Sequence, residues 1–457
     1  MGWGLALAAG AGAASMISVL LARALGHVLV AGVVVACAAG VVTFVVPRQW
    51  LPSGALAATV LIPVRALPVP EILTVISPGL LVITVWLLRG LTTRDQADRR
   101  HDKWTGLRAL IVTGFGVWLL LGAVTSDYVG NSLAWGFTFA LTVLCVWLAG
   151  ADAETIALVK VTWYVLASTL ALYAMVEFAL QANPLFDPLY ARAPFPVVQN
   201  WSVYRVTTTL GHPLTNSLFF SLSFALALGD YFSTRRPLVL SVSALSAIGL
   251  ALTASRGGLV AAAAGAVAVI ACALLVMGRG GRFAKWSIAV IAAVGLIAMT
   301  QAGVLQDRSS SREAQVSSAD RSAALDVAIR VSGDAHWLGT GPGTSNPATR
   351  DFVANSLIIE NSYLQLLISV GIPGLALFLA LLAVSCLVAF RHGRAGPLGA
   401  LVAYAVAAGG FNFLEANRPA HVLLGLVLVL CWGPDPAAGQ ADVRPTGPPR
   451  ASAIRRA

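Results

Sequence analysis

Apolar runs of roughly 18–25 residues recur along nearly the whole chain, each long enough to cross about 30 Å of hydrocarbon as a helix. No other feature constrains the fold as strongly, because lipid offers no hydrogen-bond partners and a spanning segment must satisfy its own backbone. With 58% hydrophobic and only 11% charged residues, too few polar side chains remain to cover a water-soluble surface. The expected fold is therefore an all-α polytopic membrane protein. Candidate spans lie near 4–22, 27–46, 54–68, 75–90, 107–125, 131–150, 154–180, 213–232, 236–253, 257–278, 283–300, 363–390, 396–413 and 420–433. The third is short and contains Pro63 and Arg65, so a re-entrant or broken segment is the alternative there, giving about 12–14 transmembrane helices. The first run is followed directly by another and reads as a retained span rather than a cleaved leader.

The net charge of +10 invites a nucleic-acid reading, but its placement argues against one. Basic residues gather in short loops: Arg89, Arg94, Arg99, Arg100, Lys103 and Arg108, then Arg235–Arg236, then Arg279, Arg282 and Lys285, then Arg391 and Arg394. With the spans above, all of these fall on one side, which the positive-inside rule makes cytoplasmic. Arg23 and Arg418 are the exceptions. Both termini are then cytoplasmic, and residues 1–433 form a membrane domain followed by a disordered basic tail, 434–457, rich in Pro, Gly and Ala. The same parity places two long loops, 181–212 and 301–359, outside as an extracytoplasmic cap. All five cysteines lie inside apolar runs without ligand spacing, so neither a disulfide framework nor a metal site is indicated.

The outer side holds arginines that orientation does not require: Arg192 and Arg205, Arg256, and Arg308, Arg312, Arg321, Arg330 and Arg350. Guanidinium groups bind phosphate with fixed, often bidentate geometry. Pairing with nearby acids such as Asp320 and Asp334 is the alternative for the second loop. Arg256 differs, since the turn Ser255-Arg256-Gly257-Gly258 has no acidic neighbour in sequence, and a cation at the membrane edge is a functional candidate.

The segment Glu360–Gly374 predicts a short helix interrupted at Gly371, with Pro373 suited to the first turn of the following span. Asn361, Gln365 and Ser369 recur at i+4 as a polar stripe. Glu360 opens this helix as a candidate general base, or as an acid that favours the helix N-terminus electrostatically; Tyr363 beside it is a substrate-contact candidate. Trp337–Thr344 is glycine-rich but lacks the Gly-Lys-Ser/Thr ending of a nucleotide loop, so a tight turn is expected, with an anion beside its N–H groups as the alternative. Phe186, Tyr190, Phe195, Trp201 and Tyr204 in the first loop suit either sugar stacking or an interfacial belt. His212 and His336 are substrate-contact candidates, with a hydrogen-bonded loop role as the alternative reading.

Four of these segments together resemble the O-antigen ligase/polymerase superfamily. The ligase signature runs His, then Asn, Ser or Gln, nine residues, Gly, two residues and a small residue; Asn361, Gly371 and Gly374 fit that spacing, while Glu360 stands where ligases place histidine. Arg205 with Gly211-His212-Pro213, the Ser255-Arg256-Gly257 turn, and Arg321 followed by His336–Gly343 are similar to the family's other segments in the same order. The resemblance implies a metal-independent glycosyltransferase of a bacterial inner membrane, without cofactor, its site on the extracytoplasmic face among membrane lipids. The donor would be an undecaprenyl-diphosphate-linked glycan and the acceptor a hydroxyl of a lipid or saccharide. Carried over residue by residue, Arg205, Arg256 and Arg321 would hold the diphosphate, Asn361 would contact substrate, and Glu360 would take the histidine's role, leaving ligase and polymerase both open. A transporter or flippase of lipid-linked glycans is the rival class; against it stands the lack of an internal repeat.

Overall fold

The computed structural model describes residues 45–62, 77–92, 104–190, 203–277, 312–350 and 359–434. Among these every regular element is a helix, as lipid demands of chains that cannot close a barrel. The helices are α1 (Leu51–Leu61), α2 (Pro78–Thr92), α3 (Thr105–Thr125), α4 (Val129–Ala149, with a π-helical stretch over Ala140–Cys145) and α5 (Ala153–Leu180). After these come α6 (Pro213–Thr234), α7 (Pro237–Leu252), α8 (Arg256–Leu275), α9 (Arg312–Asp334) and α10 (Ser345–Thr349). The last are α11 (Ser362–Arg391), α12 (Ala395–Ala408), the one-turn α13 (Phe413–Ala416) and α14 (Pro419–Trp432). Five of them, α3, α4, α5, α8 and α11, are long and apolar enough to cross a membrane, while α2, α7, α12 and α14 are shorter apolar helices. The expected spans at 4–22 and 283–300, all but two residues of that at 27–46, and the tail beyond Pro434 lie outside the described residues.

Within the expected span at 54–68, of which 63–68 lie outside the described residues, α1 ends at Leu61, with Ile62 already extended at ψ 112°, as the broken-segment alternative has it. Pro63 follows, and a residue before proline is driven out of the helical region by its ring. At 213–232 the expectation of a helix holds, and α6 is the centre of the bundle. Its Leu218, Phe219, Phe220, Leu222 and Leu226 are all buried, as are Asn216, Ser217, Ser221 and Ser223, because it packs against α7, α8 and α12 rather than against lipid. The contact with α12 is backbone on backbone: a Cβ on Gly229 would lie 2.2 Å from the Gly396 nitrogen, the close crossing that small residues permit in membrane helices. By contrast α3 buries only the stripe Ile111, Phe115, Leu119 and Ala123 and exposes Leu110, Val117, Leu120, Leu121 and Val124, a span at the rim of the bundle.

The basic loop residues collect at one end. Arg89 donates to the Val46 carbonyl at 2.5 Å and Arg394 to that of Cys431 at 2.5 Å, while Arg108 bonds the Trp147 carbonyl and lies 4.4 Å from the Trp432 ring centroid. Cations there answer the open carbonyls at helix C-termini. The starts of α6, α8 and α11 lie at the opposite end.

Helix α11 is broken as its sequence predicts. Gly371 has φ 65° and ψ −172°, a conformation essentially restricted to glycine, and Pro373 sits in the first turn beyond it. The break frees carbonyls that must find other donors. Those of Ile368 and Ser369 accept from the Thr340 and Gly341 N–H groups, both at 2.9 Å, and that of Val370 accepts from the Trp118 indole at 2.7 Å. In return the Ile372 N–H donates to the Trp337 carbonyl at 2.9 Å. The glycine-rich Trp337–Thr344 stretch is thus a tight turn whose Thr340 and Gly341 N–H groups are committed to this break and leave neither for an anion.

Candidate functional site

Arg205, Arg256 and the Glu360–Asn361 pair, singled out from sequence, lie at the end of the bundle where α6, α8 and α11 begin. Arg205 is held by a scaffold that sequence reading missed. Glu177, near the end of α5, is fully buried. One of its oxygens accepts from the Thr207 N–H (2.7 Å), the Thr207 hydroxyl (3.0 Å) and the Tyr204 hydroxyl (3.1 Å), and the other from the Thr208 N–H (2.9 Å). A buried carboxylate this fully hydrogen-bonded fixes the chain around it. Asn216 of α6 adds a bond from its amide to the Val206 carbonyl at 3.3 Å and accepts from the Thr208 hydroxyl at 2.6 Å. The clamp leaves Arg205 only 4% exposed, with its Nε donating to the Thr253 carbonyl at 2.8 Å.

Thr253 begins the turn that carries Arg256. Ala254 has φ 47°, and the Ser255 hydroxyl caps α8 by accepting from the Gly258 N–H at 3.2 Å. Arg256 follows as the first helical residue, exposed, and forms no hydrogen bond or ion pair with the described residues. Gly257 is pressed on Phe411, whose ring would lie 2.9 Å from an added Cβ. The Arg205 side chain is therefore bonded to the same Thr253–Arg256 turn that carries Arg256.

Phe411 joins that turn to the start of α11. Its carbonyl accepts from the Ser362 hydroxyl at 2.5 Å. The N-cap is Asn361, whose Oδ1 accepts from the N–H groups of Tyr363 (2.9 Å) and Leu364 (3.2 Å). This corrects the expectation that Glu360 opens the helix: it precedes the cap, half-buried. Tyr363 points toward α12, donating to the Ala405 carbonyl at 2.6 Å. His212 caps α6, its Nδ1 accepting from the Leu214 N–H at 3.2 Å. His336 is exposed in the left-handed turn that ends α9, at φ 52°, and nothing described brings it to the Arg205–Arg256 turn. The backbone of Arg321 lies within α9. Arg330 and Arg350 are exposed without partners among the described residues, and Arg192, Phe195, Trp201 and Arg308 lie outside those residues. Of the first-loop aromatics, Tyr204 is bound to Glu177 and Phe186 packs edge-on against Tyr173 at 6.1 Å.

A second acid was also missed. Glu415, in the short α13, accepts from the Ser345 N–H at 3.1 Å and from its hydroxyl at 2.5 Å, and from the Ser369 hydroxyl. It thereby ties the glycine-rich stretch, the broken helix and the α12–α14 connection together. Burial pushes its carboxyl up to about 7 against the lowering effect of the two serines. Gln365, between Asn361 and Ser369 in the expected stripe, is fully buried, and neither amide atom has a partner among the described residues. Arg418, set aside in sequence as an orientation exception, has a buried Nη1 likewise without a described partner, and burial lowers its pKa. Among the described residues no cluster of three or more His, Cys, Asp or Glu side chains could hold a metal ion.

Residues 241–379 match a family model described as O-antigen ligase. The match includes Arg256, Arg321, Glu360, Asn361 and Gly371, and excludes Arg205, Phe411 and Glu415. No curated protein matches the chain.

Proposed function

We propose, from the match of residues 241–379 to the O-antigen ligase family model and the apolar helices long enough to cross a membrane, that the protein transfers a glycan by the following reaction. An acceptor hydroxyl, on a lipid or a saccharide, attacks the anomeric carbon of a glycan linked to undecaprenyl diphosphate. The new C–O bond forms as the bond to the diphosphate breaks, the diphosphate leaves with the electron pair, and the hydroxyl proton passes to Glu360. Arg256 and Arg205, with Arg321 from α9, neutralise the charge that grows on the departing diphosphate. In this reading the reaction takes place on the extracytoplasmic face of a bacterial inner membrane, because the end of the bundle that bears Arg205 and Arg256 is opposite the end where the basic loops collect. No step uses a metal.

The observation that supports this reading is the convergence on Phe411. One side of that residue touches the turn bearing Arg256, itself bonded to Arg205, and its carbonyl accepts from the Ser362 hydroxyl, two residues beyond Glu360. A cation without a partner among the described residues and a carboxylate are thus drawn toward one region, which supports this reading. Reconstituted protein with Glu360→Gln should lose about 100- to 10,000-fold in transfer rate, and Arg256→Ala about 100- to 1,000-fold, with normal expression. Normal transfer by both variants would overturn the assignment. Release of undecaprenyl diphosphate together with a joined product separates transfer from flipping, which changes sidedness alone.

A further inference from the structure

Beside the Arg256 turn lies a cavity of about 240 Å³, lined by His212, Thr215, Phe411, Asn412, Phe413 and Asn417 among its eight residues. None of the eight carries a carboxylate, ammonium or guanidinium group, so a charged ligand would lose its hydration without gaining a counter-ion. The walls offer two phenyl rings together with amide and hydroxyl groups. Asn417 is 9% exposed and donates to the Thr215 hydroxyl oxygen at 2.7 Å, which spends one amide hydrogen and leaves its carbonyl oxygen available. The Asn412 side chain forms no hydrogen bond with the described residues, so both its donor and its acceptor functions are open. Apolar faces beside paired donors and acceptors match a sugar ring, whose C–H faces are apolar and whose hydroxyls both donate and accept. The volume falls below the about 300–1,000 Å³ of pockets for drug-sized ligands, a scale that suits one ring.

We propose that this cavity holds a single sugar residue of the lipid-linked glycan, the one attached to the diphosphate, and that Asn412 and Asn417 select it. The position follows from Phe411, which walls the cavity and also packs on Gly257 next to Arg256. A diphosphate on Arg256 therefore places its first sugar at the cavity mouth. This inference rests on the proposed transfer reaction for the identity of the ligand. His212 contributes a wall, its Nδ1 being engaged as the α6 cap.

The test uses the full-length chain in lipid nanodiscs. Its probes are undecaprenyl diphosphate and a panel of undecaprenyl-diphosphate monosaccharides carrying glucose, galactose, N-acetylglucosamine, N-acetylgalactosamine or rhamnose. At least one sugar should tighten binding about tenfold over undecaprenyl diphosphate, the gain expected of one or two neutral hydrogen bonds plus ring contact. Asn412→Leu removes both hydrogen-bonding functions without breaking a described contact, and Ala416→Phe fills the cavity from α13; each should abolish the gain and leave undecaprenyl diphosphate binding unchanged. If no sugar tightens binding, or the gain survives both variants, the subsite does not exist. Undecaprenyl diphosphate binding that is insensitive to Arg256→Ala would instead undermine the diphosphate assignment, and a sugar gain lost in Asn412→Leu would still stand.

Discussion

The break in α11 makes a sharp prediction at Gly371. Its φ of 65° with ψ −172° costs a non-glycine residue about 1–3 kcal/mol. An added Cβ would lie 2.3 Å from the Trp337 carbonyl oxygen and 2.4 Å from the Leu338 carbonyl carbon. Both are backbone atoms that cannot rotate aside, so the glycine-rich stretch would have to withdraw. Withdrawal breaks the bonds Thr340–Ile368, Gly341–Ser369 and Ile372–Trp337, each contributing about 0.5–1.5 kcal/mol. Gly371→Ala should therefore destabilise this end of the bundle by about 3–7 kcal/mol. Thermal unfolding in detergent should show a lower midpoint, and trypsin should cut faster at the exposed Arg330 and Arg350 that flank the stretch. Gly116→Ala is the control, because it lies within α3 with no atom within 4 Å of the added carbon; it should be neutral or stabilise by up to about 1 kcal/mol. A Gly371→Ala protein that melts with the wild type and keeps its protease resistance would refute the reasoning.

Glu177→Gln should leave the Thr208 N–H facing an amide donor at a buried site, a cost of about 1–3 kcal/mol. Its readouts are a lowered unfolding midpoint and a raised KM for the lipid-linked donor as Arg205 loosens; no change in either counts against the clamp. Glu415 has a carboxyl raised from 4.5 to about 7, so the folded protein holds a proton that the unfolded chain has released. The stability from this group is fully present below about pH 4.5 and falls as pH rises to about 7. A stability profile across that window should flatten in Glu415→Gln, and an unchanged slope would place the titration elsewhere. Tyr363→Phe removes the bond to Ala405 and should cost about 0.5–1.5 kcal/mol. Transfer assays on it separate a helix tie, which leaves turnover intact, from a substrate contact, which does not.

The elements that periodicity and length define were legible in the sequence. Expectations at 154–180, 236–253 and 257–278 correspond to Ala153–Leu180, Pro237–Leu252 and Arg256–Leu275, and the interruption lies at Gly371, two residues before Pro373, as expected. Local backbone rules determine such features, so local sequence reveals them. The two acids were not legible because their partners are distant: Glu177 bonds residues 30 and 31 positions on, and Glu415 reaches back 46 and 70. Read locally, each is a lone acid near the end of an apolar run. The serines and asparagine of α6 did carry a signal, since polar groups in a span argue for protein neighbours rather than lipid. The π-helical stretch in α4 had none; it packs against α14 so closely that a Cβ on Gly425 would lie 1.9 Å from the Thr142 carbonyl oxygen, a neighbour remote in sequence.

The span of Glu415's contacts also bears on biosynthetic timing. Ser345 and Ser369 leave the ribosome well before Glu415, and Trp135 and Thr215, which bond Leu414 and Asn417 across 279 and 202 positions, leave earlier still. Translation at about 5–20 residues per second therefore delivers the keystone last. A nascent chain halted before Asn412 has already made its arginine-bearing turns, the broken helix and the Phe411 link between them, but not the tie from Glu415 to Ser345 and Ser369. Such a chain lacks Asn412, Phe413, Ala416 and Asn417, half of the lining of the cavity beside the Arg256 turn, and that cavity closes only with the final hairpin.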